Sequence, residues 1–149
     1  MPERVQRILA FDFGLQRVGI AIGDTLTGTA APRPASAARA GKPDWESIGR
    51  EVRAFNPGRL VVGAPYNTDG TAGALMPSVR RFANELRRRF ALPVSLIDER
   101  FSSLEASAAL TRLRARGGRR RVRREHLDSA AAAVILERWL SGEPGEELQ

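Results

Sequence analysis

Apolar residues fall along the chain in two rhythms, short unbroken runs and a three-to-four spacing. The runs at 7–13 (RILAFDF) and 17–24 (RVGIAIGD) predict strands, joined by a hairpin-length connection around Gly14 to Arg17. Residues 25–34 (TLTGTAAPRP) predict a third strand, ended by Pro32 and Pro34, and 38–43 (ARAGKP) a loop. Behind Asp44, a suitable N-cap, Trp45, Ile48, Val52 and Phe55 recur at helical spacing. Residues 59–65 (RLVVGAP) predict a short buried strand stopped by Gly63 and Pro65, and YNTDGT a loop. Between 72 and 90 a helix presents Val79, Phe82, Ala83, Leu86 and Phe90. Pro77 falls early in it, so either the helix starts later or its first turns are kinked. A strand at 93–99, a helix at 103–115, an aperiodic stretch at 116–124, a helix at 125–140 and a polar tail at 142–149 complete the chain.

The order β-β-β-α-β-α-β-α-α predicts an α/β fold, with a mixed sheet and helices on its faces. No repeat or second domain shows. The 149 residues suit a single domain with a core from about 7 to 141.

Composition narrows the chemistry. There is no cysteine and one histidine, His126, which excludes thiolate zinc sites and multi-histidine sites. A metal here is bound through oxygen, which points to Mg²⁺ or Mn²⁺. No secretory signal and no run of about 18 apolar residues is visible, so a cytoplasmic protein without a membrane partner is expected. The net charge is +7, and every basic residue but Lys42 is arginine. Such a chain fits a polyanionic partner, or the codon usage of a GC-rich genome.

Acidic residues stand at predicted element ends. Asp12 closes the first strand, Asp98 and Glu99 the last, and Asp128 lies in the first turn of the final helix, three residues after Glu125. If the first and last strands are neighbours, Asp12 and Glu99 converge, and the final helix brings Asp128 beside them. Clustered carboxylates repel and lose water, and divalent cations compensate. Two such ions about 4 Å apart activate a water and stabilise the leaving oxygen of a phosphodiester. Each acid also has a plainer reading: Asp12 as a turn residue, Asp98 or Glu99 as an arginine partner, Asp128 as a helix-dipole residue, Glu125 as a cap.

The segments LAFDFGLQRVGIAIGD, LVVGAPYNTDGT, LIDERFSSLEA and HLDSAAAAVILERWL resemble, in order and spacing, the four motifs of the YqgF (RuvX-like) family. Its members are small bacterial RNase H-like proteins described as pre-16S ribosomal RNA nucleases and related to Holliday junction resolvases. The resemblance implies an RNase H-like fold: a mixed five-stranded sheet, its first three strands antiparallel, with helices on both sides. It implies a metal-binding catalytic triad of Asp12, Glu99 and Asp128, with Asp98 competing for the role of Glu99; Glu125, three residues before Asp128, is a further supporting or alternative acid by position alone. Arg17, Asn67 and Arg100 stand at motif positions as substrate-binding candidates, with Gly63, Gly70 and Ser102 beside them. FSS departs conservatively from the usual pattern, and Pro77 departs in the second helix.

Gly14, Gly19 and Gly63 leave room for a close backbone, as a nucleic-acid strand needs, or serve turns and packing alone. From Arg112 to Arg124 the chain holds eight arginines and two glycines, next to the expected acidic site. That placement favours phosphate-backbone binding, with Arg119, Arg120 and Arg121 as contacts. No aromatic residue interleaves the run, which argues against base reading there. The leading expectation is therefore a Mg²⁺- or Mn²⁺-dependent nuclease for structured RNA, with pre-16S ribosomal RNA as the substrate the family suggests. Acting as a monomer or weak homodimer, it competes with two other readings: a junction resolvase for branched DNA and a non-catalytic RNA-binding module. An actin-like ATPase needs a second domain that this length does not hold.

Overall fold

The structure, a computed structural model, describes residues 5–100 and 129–148. The expected helix at 103–115 and the arginine-rich stretch at 116–124 lie outside them, as do Ser102, Glu125, His126 and Asp128. Strands β1 (Arg7–Phe13), β2 (Arg17–Asp24) and β3 (Ala30–Arg39) form the antiparallel meander. They are followed by β4 (Lys42–Pro43), α1 (Trp45–Phe55), β5 (Arg59–Ala64), α2 (Met76–Phe90) and β6 (Val94–Asp98), then by α3 (Ala130–Leu140) and β7 (Glu146–Leu148). The sheet order is β4-β3-β2-β1-β5-β6-β7, with β1, β5 and β6 mutually parallel. Five of these strands are those expected, and β4 and β7 are short additions at the two edges.

Alternation of side chains across the sheet sorts the core into two layers. On one face Leu9, Phe11 and Phe13 of β1, Leu60 and Val62 of β5, and Val94 and Leu96 of β6 pack with α1 and α2. There Phe82 meets Phe11 edge-on at 5.6 Å and stacks on Trp45 at 5.5 Å between ring centroids. On the other face Ile8, Ala10, Val61 and Ile97 pack against Ala132, Ile135 and Leu136 of α3. The helix's alanines let it lie close to the sheet.

Several local expectations need correcting. β3 does not end at Pro32 and Pro34 but runs through them to Arg39. β4 pairs only with Ala38 and Arg39, so the proline stretch has a free outer edge where a missing N–H breaks no ladder. The expected loop at 38–43 is a tight hairpin: Ala40 and Gly41 both have positive φ, 50° and 79°, the pattern of a two-residue turn between twisted strands. Asp44 caps α1 as expected, accepting from the Ser47 N–H at 3.2 Å. α2 starts at Met76 with Pro77 in its first turn, where a missing N–H is harmless, so the later start holds and no kink is needed. Part of the polar tail is β7, paired antiparallel to β6 and tied down by Arg59–Glu147 and Arg80–Glu146 ion pairs. No described helix is long and apolar enough to cross a membrane.

Candidate functional site

The first and last strands of the core are not neighbours. β5 lies between β1 and β6, so adjacency is not what brings Asp12 and Glu99 together. Parity does. Asp12 follows Ile8 and Ala10 on the α3 face of β1, and Glu99 follows Ile97 on the same face beyond β6. The Glu99 N–H donates to the Ala64 carbonyl at 3.0 Å, which extends the β5–β6 ladder by one residue and fixes that face.

The two carboxyls reach each other over β5 because the position beneath them is glycine. A Cβ on Gly63 would sit 2.6 Å from Glu99 Oε2 and 2.5 Å from Ile135 Cδ1. The space at Gly63 is thus occupied by Glu99 and α3 rather than left for a nucleic-acid backbone. At Gly14, likewise, a Cβ would lie 2.6 Å from the Arg17 carbonyl, so that glycine serves the hairpin turn.

A hydrogen bond joins Asp12 and Glu99. Burial pushes the Glu99 carboxyl up to about 8, with the Asp12 charge and the hydrogen bond to Asp12 adding to it and Arg138 opposing. Burial also raises Asp12, while accepting from Glu99 partly offsets that rise. Both shifts point the same way: two adjoining, partly buried carboxyls disfavour being charged together, and a proton or a cation between them relieves it.

Asp98 has the opposite parity and points away from this pair. Its carboxylate accepts from the Arg100 N–H at 2.8 Å and from Arg100 Nε at 2.8 Å, with Arg100 Nη2 at 2.7 Å. Burial works against its ionisation, but the Arg100 hydrogen bonds and charge outweigh it and hold Asp98 below the usual carboxylate range. Asp98 is thus paired with Arg100, whereas Glu99 adjoins Asp12.

The remaining candidates fall in different places. Arg17 is exposed at the start of β2, at the same end of the sheet as Asp12. Asn67 braces its own loop, its amide donating to Thr71 Oγ1 at 2.9 Å. Arg100 lies 5.9 Å from the centre of the Tyr66 ring, and Gly70, with φ +90°, turns the loop beneath it. Arg119, Arg120, Arg121, Glu125 and Asp128 are outside the described residues. Among the described residues no group of three or more acids and histidines converges.

Two residues were missed from sequence. Ser129, wholly buried, accepts a hydrogen bond from the Ile20 N–H at 3.0 Å. The β2–β3 register shifts between Val18 and Ile20, and Ser129 satisfies a donor in that irregular stretch, one residue from Gly19, the register partner of Asp12. A serine just before an alanine run was the available signal. Arg138 of α3 donates from Nη1 to the Asp98 carbonyl at 2.8 Å, and nothing in the sequence links positions 40 apart.

Residues 6–142 match the family described as RuvX: Holliday junction resolvase. The chain belongs to this family. Among RuvX relatives, a protein of Glaesserella parasuis serovar 5 is 44% identical over 134 residues, covering 90% of this chain and 95% of its own length. One from Salmonella paratyphi B is 45% identical over 132 residues, covering 89% and 94%. Both carry the name "Putative pre-16S rRNA nuclease". Thermus thermophilus RuvC in complex with Holliday junction substrate superposes with a TM-score of 0.55 at 16% identity, covering 96% of this chain and 99% of its own. The yeast mitochondrial Holliday junction resolvase gives 0.50 at 12% identity, covering 91% and 78%. At these identities the likeness is one of fold, and it places the RuvX chain in the RNase H-like class that its motifs implied.

Proposed function

We propose that this chain is a metal-dependent endonuclease hydrolysing phosphodiester bonds in structured RNA, with 5′-end maturation of pre-16S ribosomal RNA as its reaction. The observation that carries the proposal is the meeting of the Asp12 and Glu99 carboxyls above Gly63. Two carboxyls in contact in a partly buried site oppose folding unless a positive charge relieves them, so the pair reads as a prepared site for a hard cation. All donors are carboxylate oxygens, which suits Mg²⁺ or Mn²⁺.

Asp12 and Glu99 would hold the cation, with Asp128 as third ligand. Asp128 is joined by one peptide bond to Ser129, which is fixed on β2 beside the register partner of Asp12. Bound in a pair, such ions would supply an activated water and stabilisation of the leaving oxygen. The protein's own contribution is positional: Asp12 is mounted on the central strand, Glu99 on a ladder-fixed strand end, and α3 closes their face. Arg17 and Arg119 to Arg121 would hold phosphates on the approach.

Purified protein should cleave a structured precursor RNA in Mn²⁺ or Mg²⁺ and not in EDTA, in preference to a four-way DNA junction. Preferential junction cleavage would make it a resolvase, and metal-independent binding without cleavage of either would make it a binding module.

A further inference from the structure

We propose that Asp98 is a positioning residue that holds the neighbouring Glu99 carboxyl over Gly63, and that Arg100 acts through Asp98 rather than on substrate. The inference deepens the proposed function, resting on the assignment of Glu99 to the reactive site.

Glu99 stands one residue beyond the end of β6, where a chain usually gains freedom. Its carboxyl is drawn out of water beside a second carboxyl, so its backbone must be held for the side chain to start in the right direction. Three hydrogen bonds to the turn hold it. Arg138 Nη1 donates to the Asp98 carbonyl at 2.8 Å, the Glu99 N–H donates to Ala64 at 3.0 Å, and the Arg100 N–H donates to the Asp98 side chain at 2.8 Å. The peptide groups on both sides of Glu99 are therefore fixed. The last bond is an aspartate turn, in which a short side chain closes on the N–H two residues ahead and bends the chain.

Arg100 completes the clamp. Its guanidinium lies on the Asp98 carboxylate through Nε at 2.8 Å and Nη2 at 2.7 Å and extends toward Tyr66. A Cβ on Gly70 would lie 3.5 Å from Arg100 Nη1, so the loop after β5 packs against the same guanidinium. Asp98 thus anchors the turn from the α1/α2 face and Arg138 anchors it from the α3 face, so the Glu99 Cα–Cβ bond is held toward Gly63. Groups that orient a ligating side chain in this way typically matter about 10- to 100-fold in activity or metal affinity.

The test uses the full chain with Asp98→Ala and Asp98→Asn. Asparagine keeps an oxygen for the Arg100 N–H and loses only the charge. Crystal structures without metal are the first readout. Glu99 should leave Gly63 and Asp12 in Asp98→Ala and stay in place in Asp98→Asn. A Glu99 carboxyl still over Gly63 in Asp98→Ala overturns the proposal whether or not the protein cleaves anything. RNA cleavage in Mn²⁺ is the second readout: kcat should fall at least about tenfold in Asp98→Ala with KM unchanged, and Asp98→Asn should recover most of it. Equal loss in both variants, with Glu99 in place in both, would make Asp98 itself a ligand and also overturn it. A wild type that cleaves nothing refutes the nuclease assignment, and the crystallographic comparison still decides the role of Asp98.

Discussion

Asp12 and Glu99 are hydrogen-bonded to each other across a strand to which neither belongs. The strand between them carries glycine at the crossing, and any side chain there would take the place of the Glu99 carboxyl. The contact therefore depends on three strands at once, and each supplies something that can be varied separately.

Gly63→Ala tests the middle strand. The new Cβ would approach both Ile135 Cδ1, the end of a flexible side chain that can yield, and Glu99 Oε2. Overpacking of this kind costs about 1–3 kcal/mol. The variant should fold with a modestly lowered Tm, keep its affinity for RNA, and lose cleavage by about 100-fold as Glu99 is displaced. Cleavage within twofold of wild type would show that the pair does not need to meet over β5.

The raised Glu99 sets a pH dependence. Glu99 is raised from 4.5 to about 8, so the folded protein binds its proton more tightly than the unfolded chain does. The sign follows directly: this group's contribution is fully present below about pH 4.5 and is lost as pH rises toward 8. Asp98 has the opposite sign, and its contribution is lost only in acid, below its ordinary value of 3.8. In EDTA, Tm should fall between pH 5 and 8 more for wild type than for Glu99→Gln, which lacks the titrating group. Mn²⁺ should flatten the wild-type curve, since a cation replaces the proton. Parallel curves for the two proteins in EDTA would contradict the raised Glu99.

Ser129→Ala removes the acceptor of the buried Ile20 N–H. An orphaned buried donor costs about 1–3 kcal/mol, more than an exposed hydroxyl such as Thr27 should cost. Urea denaturation of the two alanine variants measures the difference. Equal stability would mean that a water or a shift of α3 satisfies Ile20.

The sheet with helices on both faces was legible because strand and helix periods are written in short apolar runs and spaced apolar residues, as in RILAFDF and around Ile48 and Val52. What failed was local and had a tertiary cause. β3 runs through two prolines only because its outer edge is free there, and the tail forms β7 only because β6 offers an edge and two arginines wait beside it. At the site, the acids were visible as charges at strand ends, but Asp98 and Glu99 separate only once the parity of Ile97 is known. For Gly63 the packing reading is the one that holds, over the substrate-clearance one, though nothing local says that a carboxyl from another strand fills its space.

The role proposed for the arginine run concerns substrate binding rather than catalysis. Neutralising Arg119, Arg120 and Arg121 together should weaken RNA binding and reduce the salt slope by about 2–3 if each contacts a phosphate. An unchanged affinity and slope would return the run to codon usage.

The most direct test of the central claim is Asp12→Asn, assayed for cleavage of a structured precursor RNA in Mn²⁺ with RNA binding followed in parallel. The substitution keeps the size of the side chain and removes the charge that adjoins Glu99, so Tm should hold or rise. The account predicts intact or tighter RNA binding and cleavage reduced by orders of magnitude, because the metal-holding charge is gone. Cleavage by Asp12→Asn at the wild-type rate would contradict it.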